Sequence, residues 1–169
     1  MPFPAFSIDG VLPPYCGANG PGGAAEDMSP YAVTAMEVVS RLAFSEGRKT
    51  ILRGWLRHRA DLRAAGFQRG FQWLDGSFVE DKEPKDLDVV SFLFRPHGIQ
   101  TPDQLIVLIK NNIVLFDRPS AKAKFNLDVF SIDLNGSPEA LINATRYYLG
   151  LFSHRRGDDL WKGMLQGQA

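Results

Sequence analysis

The chain predicts an α/β fold of the α+β kind, a small mixed sheet packed on helices, and three observations carry that expectation. Apolar runs of strand length, rich in Val, Phe and Leu, alternate with longer stretches whose apolar residues recur at helical spacing. The helical stretches open on capping residues such as Ser45, Thr101 and Ser137. An apolar run ending in Gly76-Ser77 is followed by a short polar loop and then by two carboxylates, Asp86 and Asp88, which open a second apolar run. The resulting order is helix, helix, strand, Gly-Ser turn, strand, helix, strand, helix, with room for one last strand.

Residues 1–28 are dense in Pro and Gly, including Pro13-Pro14 and Gly20 to Gly23. They are expected to lie as an extended arm, docked through Phe3, Phe6, Ile8, Val11 and Leu12. Residues 29–169 then form a single domain. Ser29-Pro30 reads as a helix start, with Met36, Val39, Leu42 and Ala43 on the buried side. Ser45 caps a second helix that Gly66 stops, and Ile51, Leu52, Trp55, Leu56 and Leu62 make its apolar stripe. Arg48, Lys49, Arg53, Arg57, Arg59 and Arg63 outnumber Glu46 and Asp61 by four on that helix. This is a solvated face, or a surface for RNA, an acidic protein or a substrate tail.

Leu87 to Phe94 reads as a buried strand and Pro96-His97-Gly98 as a turn. Thr101 and Gln104 form a capping box on a third, strongly apolar helix expected to pack on the sheet. Asn111 to Phe116 fits a helix end or a short strand, and Phe125 to Leu134 a third strand. Ser137-Pro138 starts a fourth helix to about Phe152, with Leu141, Ile142, Tyr148 and Leu149 inward. A polar loop from Ser153 to Asp159 precedes a last edge strand within Leu160 to Leu165.

Composition excludes several classes of function. With 19 basic and 19 acidic residues the net charge is zero, so extended duplex binding by counterion release is not expected. The single Cys16 forms no internal disulfide and suits a reducing cytoplasm. No apolar run approaches the roughly 20 residues of a membrane span. The start, Met1 to Phe6, lacks the features of a signal peptide, so a cytoplasmic location is expected. His58, His97 and His154 are scattered and read as structural or surface residues. Trp73 reads as core, and Trp161 as core or a stacking platform for a nucleobase.

The chemistry concentrates between Phe71 and Val90. On a strand, alternate side chains share a face, so Asp86 and Asp88 project together. Two carboxylates a few ångströms apart repel unless a cation sits between them, and Mg²⁺, a hard ion with oxygen ligands, suits the position. Gly76 permits a tight bend whose N–H groups, with the Ser77 hydroxyl, can hold phosphate oxygens. Either motif alone is common, but the two at this spacing describe phosphoryl or nucleotidyl transfer.

Gly76-Ser77 with Asp86-Leu87-Asp88 resembles the signature of the DNA polymerase beta-like nucleotidyltransferases, in particular the single-domain minimal nucleotidyltransferases. The run Trp73 to Val79, followed by Asp86 to Val90, also resembles a bacterial family of unknown function. The first resemblance implies a polymerase beta-like palm in which Asp86, Asp88 and a third carboxylate hold Mg²⁺ or Mn²⁺. Asp128 and Asp133 are the candidates for that third position, and their spacing puts them on opposite faces of one strand. Asp128 matches the third acidic position better, and a metal would relieve the cost of burying it. Gly76 and Ser77 would grip an NTP, with Arg155, Arg156 and Lys162 neutralising phosphate charge. The acceptor hydroxyl would belong to a toxin-like protein or a tRNA, in a toxin–antitoxin or phage-defence setting. The second reading is a non-catalytic module of the same fold, an antitoxin or nucleotide sensor.

Overall fold

The computed structural model describes residues 3–169, so Met1 and Pro2 of the N-terminal arm lie outside the described residues. The elements are β1 (Tyr31–Val33), α1 (Ala35–Leu42), α2 (Glu46–Ala64), β2 (Gly70–Asp75) and β3 (Leu87–Leu93). They continue with α3 (Pro102–Asn111), α4 (Arg118–Phe125), β4 (Leu127–Asp133), α5 (Pro138–Phe152) and β5 (Leu165–Gln168). The strands form one mixed five-stranded sheet in the order β1-β5-β2-β3-β4. β1 pairs parallel with β5 and β3 parallel with β4, while β2 runs antiparallel to both β5 and β3. The fold is therefore the expected mixed α/β arrangement.

Alternation along the strands divides the core into two layers. Leu74, Leu87, Val89, Leu127, Val129 and Leu165 face α2 and α4, where they meet Ile51, Trp55, Leu62 and Phe125. Trp73, Val90, Phe92, Ile132 and Met164 face the other way and meet Phe152 of α5. α2 and α4 approach so closely that a Cβ on Gly54 would collide with the Phe125 carbonyl.

Several elements differ from expectation. Pro30 leads into β1, and α1 begins later, where Thr34 and Glu37 form a reciprocal capping box stronger than the Ser29-Pro30 signal. The buried side of α1 consequently carries Val38 and Leu42, and Met36 faces solvent. Leu56 of α2 is also exposed. α3 has its capping box but no fully buried residue, and Ile106 and Val107 are exposed instead of packing on the sheet. Ile113–Leu115 forms a 3-10 turn. α4 fills residues left unassigned between Phe116 and the third strand and takes in Phe125, expected to open that strand; Asp117 caps it by accepting from Ser120 N, with Pro near its start. β5 begins at Leu165 and is an inner strand between β1 and β2, because β1 takes the edge.

The N-terminal segment is more structured than an extended arm. It contains 3-10 turns at Gly20–Gly22 and Ala25–Asp27, buries Phe3, Val11 and Leu12, and leaves Ile8 exposed. Leu12 N donates to Val79 O at 3.2 Å, and Gly163 N donates to Leu12 O at 2.6 Å. The segment thereby ties the loop after β2 to the approach to β5. No helix among the described residues is long and apolar enough to cross a membrane.

Candidate functional site

At one end of the sheet, where β2 finishes and β3 and β4 begin, three carboxylates stand in one row. Asp75 is the register partner of Asp88, and Asp88 is the partner of Asp128. Register partners point to the same face, and Asp86, two residues before Asp88, projects on that side as well. All four line a cavity of about 310 Å³, together with Gly76 and Ser77. Asp133, the other candidate on β4, is bound by Arg95 at 2.6 Å and belongs to the opposite face.

The turn after β2 is built around the Asp88 carboxylate. Gly76 has φ +75°, and any Cβ there would collide with Asp88 Oδ2, so glycine answers two needs at once. Gly76–Val79 forms a 3-10 turn and the Ser77 side chain lines the cavity. The following loop is held from the core by Arg48 of α2, which sequence reasoning placed on a basic surface. Its guanidinium is fully buried, donating to the carbonyls of Phe78 (2.9 Å), Glu80 (2.6 Å) and Lys82 (2.8 Å). Phe44 and Phe78 lie 4.3 and 4.9 Å from it. Three loop carbonyls need donors there, and a rigid guanidinium fork can supply them together.

The basic residues around the cavity differ from those first expected. Lys162 lines it but is buried, with Nζ 2.9 Å from Gly76 O, 3.2 Å from Glu80 Oε1 and 3.3 Å from Asp75 Oδ1. Its donors are committed to the protein, so it braces the Gly76 turn rather than offering itself to phosphate. Arg155 is turned away, bonded to Asp158 and donating to Asp9 O at 2.7 Å, whereas Arg156 lines the cavity. Two cations come from α4. Arg118 holds Asp128 through two bonds of 2.6 Å, and Lys122 Nζ lies 2.6 Å from Asp86 Oδ2. His154, read as structural or surface, also lines the cavity, and Trp161 lies outside it.

Burial and crowding set the electrostatics. Asp88 is pushed up to about 6, first by burial and then by Asp86 and Asp128, with Arg156 and Lys162 pulling the other way. Asp75 is pushed up to about 7 by burial, which outweighs Lys162 and the Gly76 N–H. Lys162 sits at ion-pair distance from Asp75, yet neither Asp75 oxygen has a well-formed hydrogen bond among the described residues. Glu80 is also opposed by burial, but bonds from Lys82 and Lys162 hold its carboxyl below the ordinary value.

Asp75, Arg118 and Lys122 were missed in the sequence. Asp75 follows Trp73 at strand alternation and so shares its face, a legible but unused signal. Asp117 before Arg118-Pro119 is a cap signal for α4, and Arg118 and Lys122 then fall four apart on one helix side.

The cavity gathers carboxylate oxygens, the donor type that a hard divalent ion takes, and Asp88 has no hydrogen-bond or ion-pair partner among the described residues. As they stand, no three His, Cys, Asp or Glu side chains among the described residues gather closely enough to hold a metal. Asp86 and Asp128 are instead turned to Lys122 and Arg118. No curated protein and no solved structure matches the chain. Residues 4–167 match DUF6932, and the chain belongs to this family of unknown function.

Proposed function

We propose that the protein is a metal-dependent nucleotidyltransferase that moves a nucleoside monophosphate from an NTP to a hydroxyl of a protein or RNA. The observation that carries this reading is the row Asp75-Asp88-Asp128 with Asp86 beside it, opening on the Gly76-Ser77 turn. Asp86, Asp88 and Asp128 would hold Mg²⁺ or Mn²⁺, which when bound supplies charge stabilisation to attacking and leaving oxygens. The chain's own residues do the rest. The Gly76-Ser77 turn binds phosphate, since its backbone passes close to Asp88 without a side chain in between. Arg48 and Lys162 keep that turn in place from beneath. Arg156 faces the cavity and neutralises phosphate charge. Asp128, at the start of β4, orients the acceptor hydroxyl and takes its proton. The toxin-like protein or tRNA acceptor, and the toxin–antitoxin setting, belong to the same proposal by resemblance.

One observation favours a second reading. The pairs Arg118–Asp128 and Lys122–Asp86 neutralise two of the carboxylates within the protein, as a nucleotide sensor or antitoxin without chemistry would permit.

Transfer of label from α-phosphorus-labelled NTP to protein or RNA in a lysate separates the two. Wild-type protein with Mg²⁺ should label an acceptor, and Asp88→Asn should lower the rate by about 10²-fold or more. Gly76→Val should abolish NTP binding measured by calorimetry. A wild type that labels nothing, with Asp88→Asn keeping its full effect in cells, decides for the binding module.

A further inference from the structure

We infer that Arg118 and Lys122 of α4 are the anion subsite of this cavity, held by Asp128 and Asp86 until a divalent cation takes those carboxylates, and then free to receive the phosphate oxygens of a polyphosphate. The inference rests on the metal-dependent reading and adds the residues that grip the substrate and the order in which they become available.

α4 is built to present this pair. Ala121 and Phe125 recur four apart and are fully buried against the core, which fixes the helix. Arg118 and Lys122 also recur four apart, and both reach the cavity. Each is more than half exposed, at 58%, so the ion pairs they make are cheap to exchange in water. A guanidinium that grips a carboxylate with two parallel bonds grips a phosphate in the same way. The Arg118 guanidinium also lies 4.6 Å from the Phe130 ring, a support that stays when Asp128 lets go.

Charge balance gives the coupling its sign. The cavity is lined by five Asp or Glu and five Lys or Arg side chains, a formal sum of zero. A divalent ion alone must compete with Arg118 and Lys122, and a polyphosphate alone must compete with Asp128 and Asp86. Bound together, each ligand releases the partner the other needs. Metal and polyphosphate therefore bind with positive and reciprocal coupling.

Calorimetry with Mn²⁺ alone, and with inorganic tripolyphosphate or ATP at saturating Mn²⁺, tests this on wild type, Arg118→Ala and Lys122→Ala. The alanine variants should bind Mn²⁺ roughly two- to fivefold tighter, the scale of one exposed ion pair. The same variants should bind tripolyphosphate and ATP about tenfold more weakly, the scale of one charge-assisted contact. These opposite signs are what a merely structural role would not produce. Both affinities moving together, neither moving, or a loss confined to ATP would overturn the inference while leaving the transfer reading standing. A wild type that binds neither Mn²⁺ nor ATP removes both. Should either alanine variant melt below wild type, Arg118→Lys and Lys122→Gln carry the same test. The lysine should keep its competition with Mn²⁺ and lose part of the polyphosphate affinity.

Discussion

The two faces of the sheet are built for different ends. On the α2 and α4 face, Trp55, Leu62, Leu74, Leu87, Phe125 and Leu127 are sealed from solvent, and even Arg48 is fully buried and bonded. On the α5 face the helix has one fully buried residue among fifteen, Phe152, and the strand ends beside it carry carboxylates. Apolar area removed from water is the main source of stability, so the first face holds the fold. The second face gives up part of that burial and gathers like charges, which costs stability. The difference teaches where the chain accepts strain: chemistry sits on the thinner layer, anchored by contacts from the thicker one. Arg48 makes that link directly, reaching from α2 to the loop that shapes the cavity.

The largest expected effect comes from removing a ring on each face. Phe125 is fully buried against His58, with ring centroids 5.3 Å apart, and its backbone abuts Gly54. Phe125→Ala should cost about 3–5 kcal/mol in chemical denaturation, because neighbours on both helices are fixed and leave a cavity. Phe152→Ala should cost roughly 1–3 kcal/mol, because Leu141, Tyr148 and Leu151 around it are half-buried and can settle inward. Equal losses would break the contrast between the faces.

A smaller effect, opposite in sign, should come from the carboxylate row. Asp88 titrates near 6 in the folded chain against an ordinary 3.8. Between those values the folded state binds more protons than the unfolded one, so stability falls as pH rises through that window. Asp75, raised to about 7, extends the fall. Asp88→Asn should therefore stabilise the metal-free protein by about 1–3 kcal/mol above pH 6, on the scale of such a shift. The gain should fade below pH 4. Thermal melts from pH 4 to 8 check this, and a gain unchanged across that range would rule out titration of Asp88 as its source.

Much of this was legible in the chain. The strands β2, β3 and β4 announced themselves by apolar runs, and α2, α3 and α5 by caps at Ser45, Thr101 and Ser137. The shared face of Asp86 and Asp88 followed from strand alternation, whereas Asp128 came from the resemblance and its mid-strand position, and which strands pair was not visible. What stayed hidden depended on contacts distant in sequence. Arg48 looks like any basic residue of a surface helix until the loop carbonyls thirty or so residues later need its donors. Lys162 looks free until β5 enters the sheet beside β2 and carries it to Gly76. α4 was obscured because its eight residues include only two that are buried, too few to set up a period.

The smallest effect concerns the outer side of α5 and is the sharpest check on how thin that layer is. Ile142 is 67% exposed and Tyr147 is 62% exposed, so neither contributes much burial to the folded chain. Serine has nearly the helix propensity of isoleucine, so Ile142→Ser changes little in the helix itself. Its stability in urea should stay within about 0.5 kcal/mol of wild type, as for surface substitutions in general. The measurement should be repeated at a tenfold different protein concentration. A chain whose α5 face is open to water gives the same midpoint at both. A loss above about 1 kcal/mol that grows with concentration would mean that a second copy covers the face, since association adds stability by mass action. The α5 layer would then be thick in solution, and the contrast between the two faces would hold for the isolated chain alone.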